Sequence, residues 1–423
     1  MHQKVIIPGR GFAGLRADSA VRSTDSDAAY IDRSDFHRYQ PLLNQVGTGS
    51  LSLSEIASPW RTVFWGQKNG RVFLGEATHI DPASRQALLS DGQSDNYSTL
   101  GFAAGSVTFY LGDDDWRPYG QSLKSTEDFT EMRRRIFTAF ERAELEGATG
   151  AEVAGAVSGI ARKTIKDDFL SIRRGRAQLI LVDSVPRLPP AFSEQRAAKA
   201  EQALNLLGVR DRCGLRGTGI NATGVNFRQS DGTAFEIPPK TVLWDGGVSV
   251  LQICRELQRA TGARVEDMGR IWVLPNLTVS GHPEIVVAGD IARVTQQARV
   301  LSGGAHVAFQ KGADVGKNIL RRQGSQGAVV PFRYSGRGDI AVIGLATAIA
   351  RVFGLKVWGR PAWFAWAASL FPSGGVFVRW ALQYLTFSRG GHGSSPKSNR
   401  IPFGRSLRTA SGDVVLWGVV LGL

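Results

Sequence analysis

Three glycines near the start of the chain have the spacing of a loop that can hold phosphate groups. Residues 6–20 read IIPGRGFAGLRADSA, with Gly9, Gly11 and Gly14 in the pattern GxGxxG. In such a loop the first glycine makes a tight turn, the second lets the backbone approach a pyrophosphate, and the third lets the helix pack on the strand. Unpaired N–H groups at the helix N-terminus then attract the anion. The pattern predicts a dinucleotide site, although its spacing alone is weak evidence in a chain with 50 glycines.

The residues on either side of the glycines predict the strand and helix that such a site needs. Residues 4–7 form a short β-branched run, residues 12–19 can begin a helix, and AAYIDRSDF places Asp32 at the end of a second strand. A carboxylate there holds a ribose hydroxyl in dinucleotide-binding domains. Pro8 is unusual, because proline cannot donate a hydrogen bond within a sheet. We expect it to cost one hydrogen bond at the strand end and to leave binding possible.

The composition narrows the class of protein. A chain of 423 residues is long enough for two or three domains with large cores. Its two cysteines are too few for a disulfide framework and suit a reducing compartment. The N-terminus has no apolar signal-peptide segment, which predicts a cytosolic start. The net charge of +14 comes with no nucleic-acid recognition motif. Most of the positive excess lies in residues 331–423, which contain 11 Lys or Arg and only two Asp.

Four stretches of the chain resemble type II NADH:quinone oxidoreductases, which are single-subunit flavoproteins with two dinucleotide-binding domains. They read YIDRSDFHRYQPLLNQVGTGSLSLSEIASPWR, LKSTEDFTEMRRRIFTAFERAE, TVLWDGGV and HPEIVVAGDIA. The similarity extends from Val5 to near Gly390. It implies an α/β fold in which two Rossmann-like domains bind FAD and NADH, followed by an amphipathic segment on the membrane surface. It also implies hydride transfer from NADH to FAD and then transfer of two electrons to a membrane quinone, without proton pumping.

The resemblance assigns an FAD site residue by residue. Gly9, Gly11 and Gly14 would bind the pyrophosphate and Asp32 the ribose, while Asp290 would reach the ribityl or phosphate region. An aspartate at the carboxyl end of a strand faces the crevice where such sheets bind ligands. The sequence GDIA also suits a helix N-cap, and one residue can serve both roles. Gly289 belongs to the same FAD contact as Asp290. The other residues expected to bind a cofactor, without a choice between FAD and NADH, are Phe12, Arg33, Ala104, Gly105 and Gly247.

A second dinucleotide motif corresponds to EGATGAEVAGAVSGIARKT, residues 146–164. The family has an apolar strand and a further glycine before this motif, whereas here the charged helical run RRRIFTAFERAELE leads directly into it. Such a strand is central and buried on both faces, so these charged residues cannot replace it. We therefore expect a shortened NADH domain, in which either residues 178–183 anchor a reorganised sheet or NADH binds weakly. The resemblance assigns Gly147, Gly150, Gly155 and Asp183 to NADH, and Glu152 to the proton chemistry of the quinone.

The family's quinone-side motif falls on AHVAFQ, residues 305–310. His306 replaces the first glutamine of that motif, and Gln310 keeps the second. Gln310 could hydrogen-bond a quinone carbonyl, or it could be an ordinary solvated glutamine of a helix. His306 could deliver a proton to a reduced quinone, because histidine titrates near neutral pH, or it could be an ordinary loop or core histidine.

Tryptophans and basic residues alternate towards the C-terminus. Five of the ten tryptophans lie in the last 66 residues, interleaved with lysine and arginine. This combination suits the headgroup region of a membrane. Residues 361–378, PAWFAWAASLFPSGGVFV, are uncharged but interrupted by Pro372, which makes them marginal for a span. We expect the segment to lie on the membrane surface, with a helical cap on the soluble core as the alternative.

These observations give one leading prediction and two rivals. We expect an FAD-binding domain at 1–110 and 266–330, an NADH-binding domain at 111–265 and a membrane-associated segment at 331–423. The leading prediction is a peripheral NADH:quinone oxidoreductase on the cytoplasmic face of the cell membrane, with no metal and no nucleic-acid partner, and with a homodimer left open. A disulfide or sulfide:quinone reductase would need a reactive cysteine pair, which the segment after Asp32 lacks. The second rival is a membrane-surface FAD-binding relic with impaired or no NADH oxidation, which Pro8 and the missing strand favour.

Overall fold

The structure is a computed structural model, and it describes residues 3–22, 24–47, 52–146, 179–185, 194–206, 209–237, 241–323, 328–336, 338–342, 348–352 and 355–370. The helices are α1 (Phe12–Val21), α2 (Leu43–Gly47), α3 (Leu53–Ile56), α4 (Trp60–Val63), α5 (Thr126–Glu146), α6 (Glu194–Leu206), α7 (Gln252–Thr261), α8 (Ala305–Gln323) and α9 (Arg360–Leu370).

The strands, in chain order, are β1 (Lys4–Pro8), β2 (Asp27–Asp32), β3 (Phe36–Arg38), β4 (Ala57–Pro59), β5 (Gly70–Leu74), β6 (Ala77–Asp81), β7 (Gln86–Leu89), β8 (Ser94–Asn96), β9 (Thr99–Phe102), β10 (Ser106–Thr108), β11 (Gly120–Ser122), β12 (Leu179–Asp183), β13 (Val209–Cys213), β14 (Arg216–Ile220), β15 (Val225–Arg228), β16 (Ala234–Ile237), β17 (Val242–Trp244), β18 (Val248–Val250), β19 (Ile271–Trp272), β20 (Thr278–Val279), β21 (His282–Val287), β22 (Ala292–Arg293), β23 (Thr295–Gln296), β24 (Arg299–Val300), β25 (Gly338–Val342), β26 (Ala348–Val352) and β27 (Leu355–Gly359).

The chain divides into two compact units. Unit 1 comprises Met1–Gln40, Ile56–Val107 and Val248–Gly336, and unit 2 comprises Pro41–Glu55, Thr108–Gly247 and Arg337–Leu423. Unit 1 contains most of the two segments that we predicted to bind FAD. It also contains residues 248–265, which we had placed in the NADH domain. The cofactor that each unit binds stays a prediction.

A six-stranded sheet forms the centre of unit 1. The strand order is β20-β21-β9-β1-β2-β5, in which β20 runs antiparallel to β21 and the other neighbours are parallel. Val5, Ile6 and Ile7 of β1 are fully buried, as expected for a central parallel strand covered on both faces. Because parallel strands end at the same edge of a sheet, the loops that follow β1, β2, β9 and β21 meet there.

Pro8 ends β1 and lies opposite Ile31 of β2. The pairing continues past the proline, because the N–H of Gly9 donates to the Ile31 carbonyl at 2.9 Å. On the other side, the N–H of Ala103 donates to the carbonyl of Pro8, also at 2.9 Å. The proline therefore costs the sheet no more than its own missing N–H.

Different elements cover the two faces of this sheet. Val5 and Ile7 pack in one cluster with apolar residues of α1 and α8. Ile6 points to the opposite face, since side chains alternate along a strand, and packs in a cluster with residues of the β6–β7 hairpin and α7.

Glycines on α8 allow it to lie against α1. A Cβ at Gly312 would be 2.2 Å from the carbonyl oxygen of Ala13, and one at Gly316 would be 2.7 Å from that of Ala17. Residues four apart share one face of a helix, so the two glycines form one line of close contact. The position of α8 is therefore fixed by backbone rather than by adjustable side chains.

The described part of unit 2 contains several small sheets. β11 pairs in parallel with β17 and β12 with β13, while β14, β15 and β16 form an antiparallel sheet. Tyr110, Trp116 and Trp244 form the aromatic centre of its buried cluster. Helix α5 continues to Glu146, which confirms that a helix rather than a strand leads up to the second glycine motif.

The C-terminal part of the described chain departs from the expected boundary at residue 331. Phe332 is buried in the core of unit 1, and its N–H donates to the Pro275 carbonyl at 2.7 Å. In unit 2, α9 packs on the antiparallel sheet β25–β27, burying Trp363 while Phe364 stays exposed. Among the described helices none is both long and apolar enough to cross a membrane. The remainder of the predicted membrane segment, residues 371–423, lies outside the described residues.

Candidate functional site

The glycine loop of residues 9–14 joins β1 to α1 in unit 1. Gly9 has a φ of +89°, and a Cβ there would lie 2.1 Å from the carbonyl oxygen of Ala103. A Cβ at Gly14 would lie 2.1 Å from the carbonyl oxygen of Gly9. Both glycines are thus required by close backbone contacts, one for the turn and one for the helix that follows it.

Gly11 differs from Gly9 and Gly14 because the space where a side chain would lie is open. It is the N-cap of α1, and a Cβ on it would meet nothing within 4 Å. Its φ of −61° is accessible to any residue, so local geometry does not require glycine. The open side lies at the positive end of a ten-residue helix, where backbone N–H groups favour an anion.

Asp32 lies at the end of β2, where the sequence predicted a ribose-binding carboxylate. One carboxylate oxygen accepts from the backbone N–H of Arg10 at 2.7 Å, and the other from that of Ser34 at 2.9 Å. These bonds tie Asp32 to the glycine loop and fix its orientation. Each oxygen can accept a second hydrogen bond, so the carboxylate keeps acceptor capacity for a hydroxyl.

Asp290 follows β21 in a short 3₁₀ turn, Gly289 to Ile291, and Gly289 has a φ of +80°. Its carboxylate accepts from the hydroxyl of Ser106 at 3.0 Å and from the N–H of Gly304, just before α8, at 3.1 Å. Ala288, not Asp290, occupies the cap position of the turn. The N-cap alternative is therefore wrong for this turn, and the carboxylate instead bonds to the residue before α8.

The remaining positions assigned to the cofactor in unit 1 differ in their surroundings. Phe12 is buried and its ring contacts those of His37, Tyr39 and Phe309, so its side chain belongs to the core. The side chain of Arg33 is 58% exposed and faces Glu76 at 3.7 Å. The other two are Ala104, which packs on the core, and Gly105, which has a φ of +78° and open space beside it.

Arg10 is a feature of this loop that the sequence did not reveal. Its side chain is 2% exposed, and none of its guanidinium nitrogens has a hydrogen-bond partner among the described residues. The guanidinium carbon lies 4.6 Å from the ring centre of Trp60, 5.0 Å from Phe64 and 5.4 Å from Tyr30. Burial lowers the pKa of Arg10 to about 10 despite the opposing charge of Asp32. A buried cation is thus close enough to Asp32 to interact with its charge, and among the described residues its guanidinium contacts aromatic faces.

In unit 2, Asp183 ends β12 as predicted and is 4% exposed. Its carboxylate accepts from the N–H of Val185 at 3.0 Å, and burial raises the pKa of the carboxyl. Gly247 has a φ of +112°. Asp245, two residues earlier, was not predicted, and desolvation raises its pKa to about 6 against the opposing charge of Lys124.

The two residues of the quinone-side motif lie on α8. Both ends of the Gln310 amide are bonded to the backbone of Ser335: its nitrogen donates at 3.1 Å and its oxygen accepts at 2.9 Å. This pairing ties the segment after α8 to the helix, and it leaves one amide N–H of Gln310 without an assigned role. His306 is exposed near the start of the helix. Their quinone roles stay predictions.

The second glycine motif lies outside the described residues. This applies to Gly147, Gly150, Glu152 and Gly155, so their assignments also stay predictions. The cysteine-based rival loses support in unit 1, where Cys254 is 1% exposed and burial raises the pKa of its thiol to about 12. A buried protonated thiol is a poor nucleophile.

Comparison with known proteins agrees with this arrangement. The family model described as pyridine nucleotide-disulphide oxidoreductase matches residues 3–312. The type II NADH:quinone oxidoreductase Ndh of Mycobacterium tuberculosis is 33% identical over 388 residues, covering 86% of this chain and 82% of that protein. The structure of NDH2 from Plasmodium falciparum in complex with NADH has a TM-score of 0.78 at 14% identity, covering 93% of this chain and 99% of that chain.

A further solved structure, the sulfide:quinone oxidoreductase of Aquifex aeolicus, has a TM-score of 0.66 at 13% identity, with coverages of 92% and 91%. Likeness at such low identity speaks for the fold alone, and it confirms the predicted α/β class. The family model and the mycobacterial relative assign the chain to a family, because they match most of the chain in sequence. The chain belongs to the pyridine nucleotide-disulphide oxidoreductase family and, within it, to the type II NADH:quinone oxidoreductases.

Proposed function

We propose that this protein oxidises NADH with a membrane quinone by way of bound FAD. When bound, FAD supplies the redox chemistry, accepting a hydride from NADH and passing two electrons to the quinone. The observation that carries the proposal is the edge of the unit 1 sheet, where an open helix N-terminus at Gly11 and two oriented carboxylates, Asp32 and Asp290, follow parallel strands. Such an edge is where open α/β sheets bind nucleotides.

The residues present fit FAD. A Cβ at Gly11 would meet no described atom within 4 Å, whereas Gly9 and Gly14 are closed by backbone, so of the three glycines Gly11 is the one open to a pyrophosphate. Asp32 is already oriented by two N–H donors and retains acceptor capacity for ribose hydroxyls. The chain's own contribution is to bind and orient the cofactor and to keep water from the reacting atoms.

For the nicotinamide nucleotide we propose a site in unit 2 that includes Asp183 and Gly247. Asp183 ends a strand of a parallel pair, which is the position of a ribose acceptor in a dinucleotide-binding domain. Gly147, Gly150 and Gly155 would receive the phosphates and Glu152 would serve the proton chemistry of the quinone. His306 and Gln310 of α8 are the further residues that we propose near the quinone.

We also propose that the protein lies on the cytoplasmic face of the membrane. Support comes from β27 and α9 in unit 2, which expose the large apolar side chains of Leu355 (70%), Phe364 (41%) and Trp358 (37%) beside Lys356. Aromatic and aliphatic side chains beside basic residues suit a lipid headgroup region. A homodimer is compatible with this arrangement, and light scattering of the purified protein would decide it.

The central test is the absorption spectrum of the purified protein. We expect the bands of non-covalent FAD, their loss when NADH is added under anaerobic conditions, and their return when a soluble quinone follows. Protein that binds FAD but is not reduced by NADH would support the alternative of a flavin-binding relic. Folded protein that takes up no FAD at micromolar concentration would refute the proposal.

Membrane attachment is tested separately with liposome flotation. Leu355→Ser combined with Phe364→Ser should reduce binding to anionic liposomes, whereas Trp65→Ser, which removes an 85% exposed tryptophan of unit 1, should not. High salt should release the wild type only in part, because it screens the basic residues but not apolar burial. Equal flotation of all three proteins would contradict this assignment.

A further inference from the structure

Lys311 is a lysine in the interior of unit 1. It lies on α8, and its side chain is 1% exposed. Its ammonium donates to the carbonyl of Gly289 at 3.0 Å and to that of Ala292 at 2.7 Å. These two carbonyls stand on either side of Asp290 along the chain. The ammonium therefore fastens the turn that carries this carboxylate to α8.

The helix that carries Lys311 has little freedom to move away from the turn. The next residue, Gly312, has no room for a Cβ because of the carbonyl of Ala13 on α1. On its other side, the carboxylate of Asp290 is held by Ser106 and by the N–H of Gly304. The turn is thus fixed by one ammonium that binds its backbone carbonyls and by two donors that bind its carboxylate.

Among the described residues, two charged groups act on Lys311. The turn contributes Asp290, which favours the ammonium form, and the segment before β19 contributes Arg270, which disfavours it. Arg293 of β22 is turned to Glu266 at 3.0 Å, and the α1 residues against the neighbouring glycines are alanines. Burial lowers the pKa of Lys311 to about 8. A buried charge is costly unless it is paired, so its partners here are the two carbonyls and Asp290.

We propose that Lys311 is a positioning residue for FAD, which holds the turn of Asp290 in place and supplies a buried positive charge at that turn. The inference rests on the proposed role of Asp290 as an FAD contact. The pyrophosphate of FAD is anionic, so FAD binding favours the ammonium form of Lys311 and takes up a proton where the free protein has lost it. The affinity for FAD should consequently fall as the pH rises above about 8.

The test is a titration of the flavin-free protein with FAD, followed by flavin fluorescence between pH 6.5 and about 9.5, which spans the linkage range. The variants are Lys311→Met, Lys311→Gln, which retains a donor without charge, and Asp290→Asn. The matched control is Lys317→Met, which removes a lysine of the same helix whose side chain is 60% exposed and paired with Asp314. Urea unfolding of each flavin-free protein separates binding from stability.

At pH 7 we expect Lys311→Met to raise the Kd for FAD about tenfold, the effect of roughly 1.4 kcal/mol, while Lys317→Met leaves it unchanged. The wild-type Kd should rise by up to about tenfold per pH unit above pH 8, because one proton is linked to binding, and the Lys311→Met profile should be flat. In the Asp290→Asn background, Lys311→Met should have less effect, since coupled residues are not additive. Lys311→Gln should be equally flat with pH and intermediate in affinity.

The outcomes separate this inference from the assignment of Asp290. Unchanged affinity in Asp290→Asn would refute Asp290 as an FAD contact, and with it the route by which Lys311 is proposed to act. Weak binding by Asp290→Asn together with wild-type binding and pH dependence in Lys311→Met would refute the role of Lys311 alone. If Lys311→Met does not fold, the dependence of the Kd for FAD on pH is compared between the wild type and Lys311→Gln. The same pH dependence in both proteins would refute the proposal.

Discussion

Replacing Gly11 or Gly14 by alanine should change the stability of the flavin-free protein in opposite directions. Gly11→Ala should in addition weaken FAD binding. At Gly14 the new Cβ would lie 2.1 Å from the carbonyl oxygen of Gly9, whereas real Cβ atoms stay beyond 3.0 Å. The strand-to-helix turn must therefore open by about 1 Å, and such overpacking typically costs 1–3 kcal/mol. Removing a glycine from a helix returns about 1 kcal/mol, which leaves a net loss of up to about 2 kcal/mol.

At Gly11 the same substitution meets nothing within 4 Å, and the φ of −61° suits alanine. Gly11→Ala should therefore stabilise the flavin-free protein by about 0.4–1 kcal/mol through the lower entropy of the unfolded chain. It should nevertheless weaken FAD binding, because the methyl group occupies the open approach to the backbone. Loss of one hydrogen bond to a charged group, about 1.5–3 kcal/mol, corresponds to a Kd raised about 10-fold to 100-fold.

Urea unfolding of the flavin-free proteins followed by circular dichroism measures the first effect, and FAD titration measures the second. The expected result is a stable Gly11→Ala protein that binds FAD poorly and a destabilised Gly14→Ala protein. The reasoning is refuted if Gly11→Ala binds FAD as tightly as the wild type, or if it loses as much stability as Gly14→Ala.

Three further results are expected. Inserting five or six apolar residues and a glycine between Glu146 and Gly147 should lower the KM for NADH, with little change in the rate of flavin reduction at saturating NADH, as measured by anaerobic stopped-flow absorbance. Fast flavin reduction and tight NADH binding in the unmodified chain would contradict this prediction. The free energy of unfolding should rise with pH between about 8 and 10.5, because in this range the unfolded state binds more protons than the folded state. Lys311 contributes at most roughly 3 kcal/mol to this rise, and the rise should be absent in Lys311→Met. Between about pH 4 and 6 stability should fall as Asp245 ionises in an unfavourable environment, and Asp245→Asn should remove that fall in a pH series of thermal unfolding.

The sequence predicted the glycine loop and its two elements because the signals there are local. A β-branched run, a GxGxxG turn and a carboxylate at the next strand end depend on residues within one strand–helix–strand unit. The structure has β1, α1 and β2 where the pattern placed them, and it orients Asp32 toward the loop through the backbone N–H of Arg10. The domain boundaries were harder to predict from the sequence, because contacts between distant parts of the chain decide which segments pack together.

The two buried cations were missed for different reasons. Arg10 occupies a variable position of the glycine motif, and the rings around it come from two other segments, β2 and α4 with the residue that follows it, so nothing local marks it as buried. Lys311 did carry a signal: Ala308, Lys311, Val315 and Ile319 follow the helical period of one apolar stripe. A lysine within such a stripe must be buried or must disturb the packing. The resemblance drew attention to Gln310 instead, whose amide turns out to be bonded to Ser335.

The missed residues also resolve an electrostatic difficulty of the proposed FAD site. Asp32 and Asp290 both lie at the edge where an anionic pyrophosphate is expected, and carboxylates alone would repel it. Each has a buried cation nearby: the charge of Asp32 acts on Arg10, and that of Asp290 acts on Lys311. Interactions within a buried site are screened little by salt, so these cations can offset both carboxylates without contacting the ligand. Ribose hydroxyls and phosphates can then be bound side by side, as a nucleotide cofactor requires.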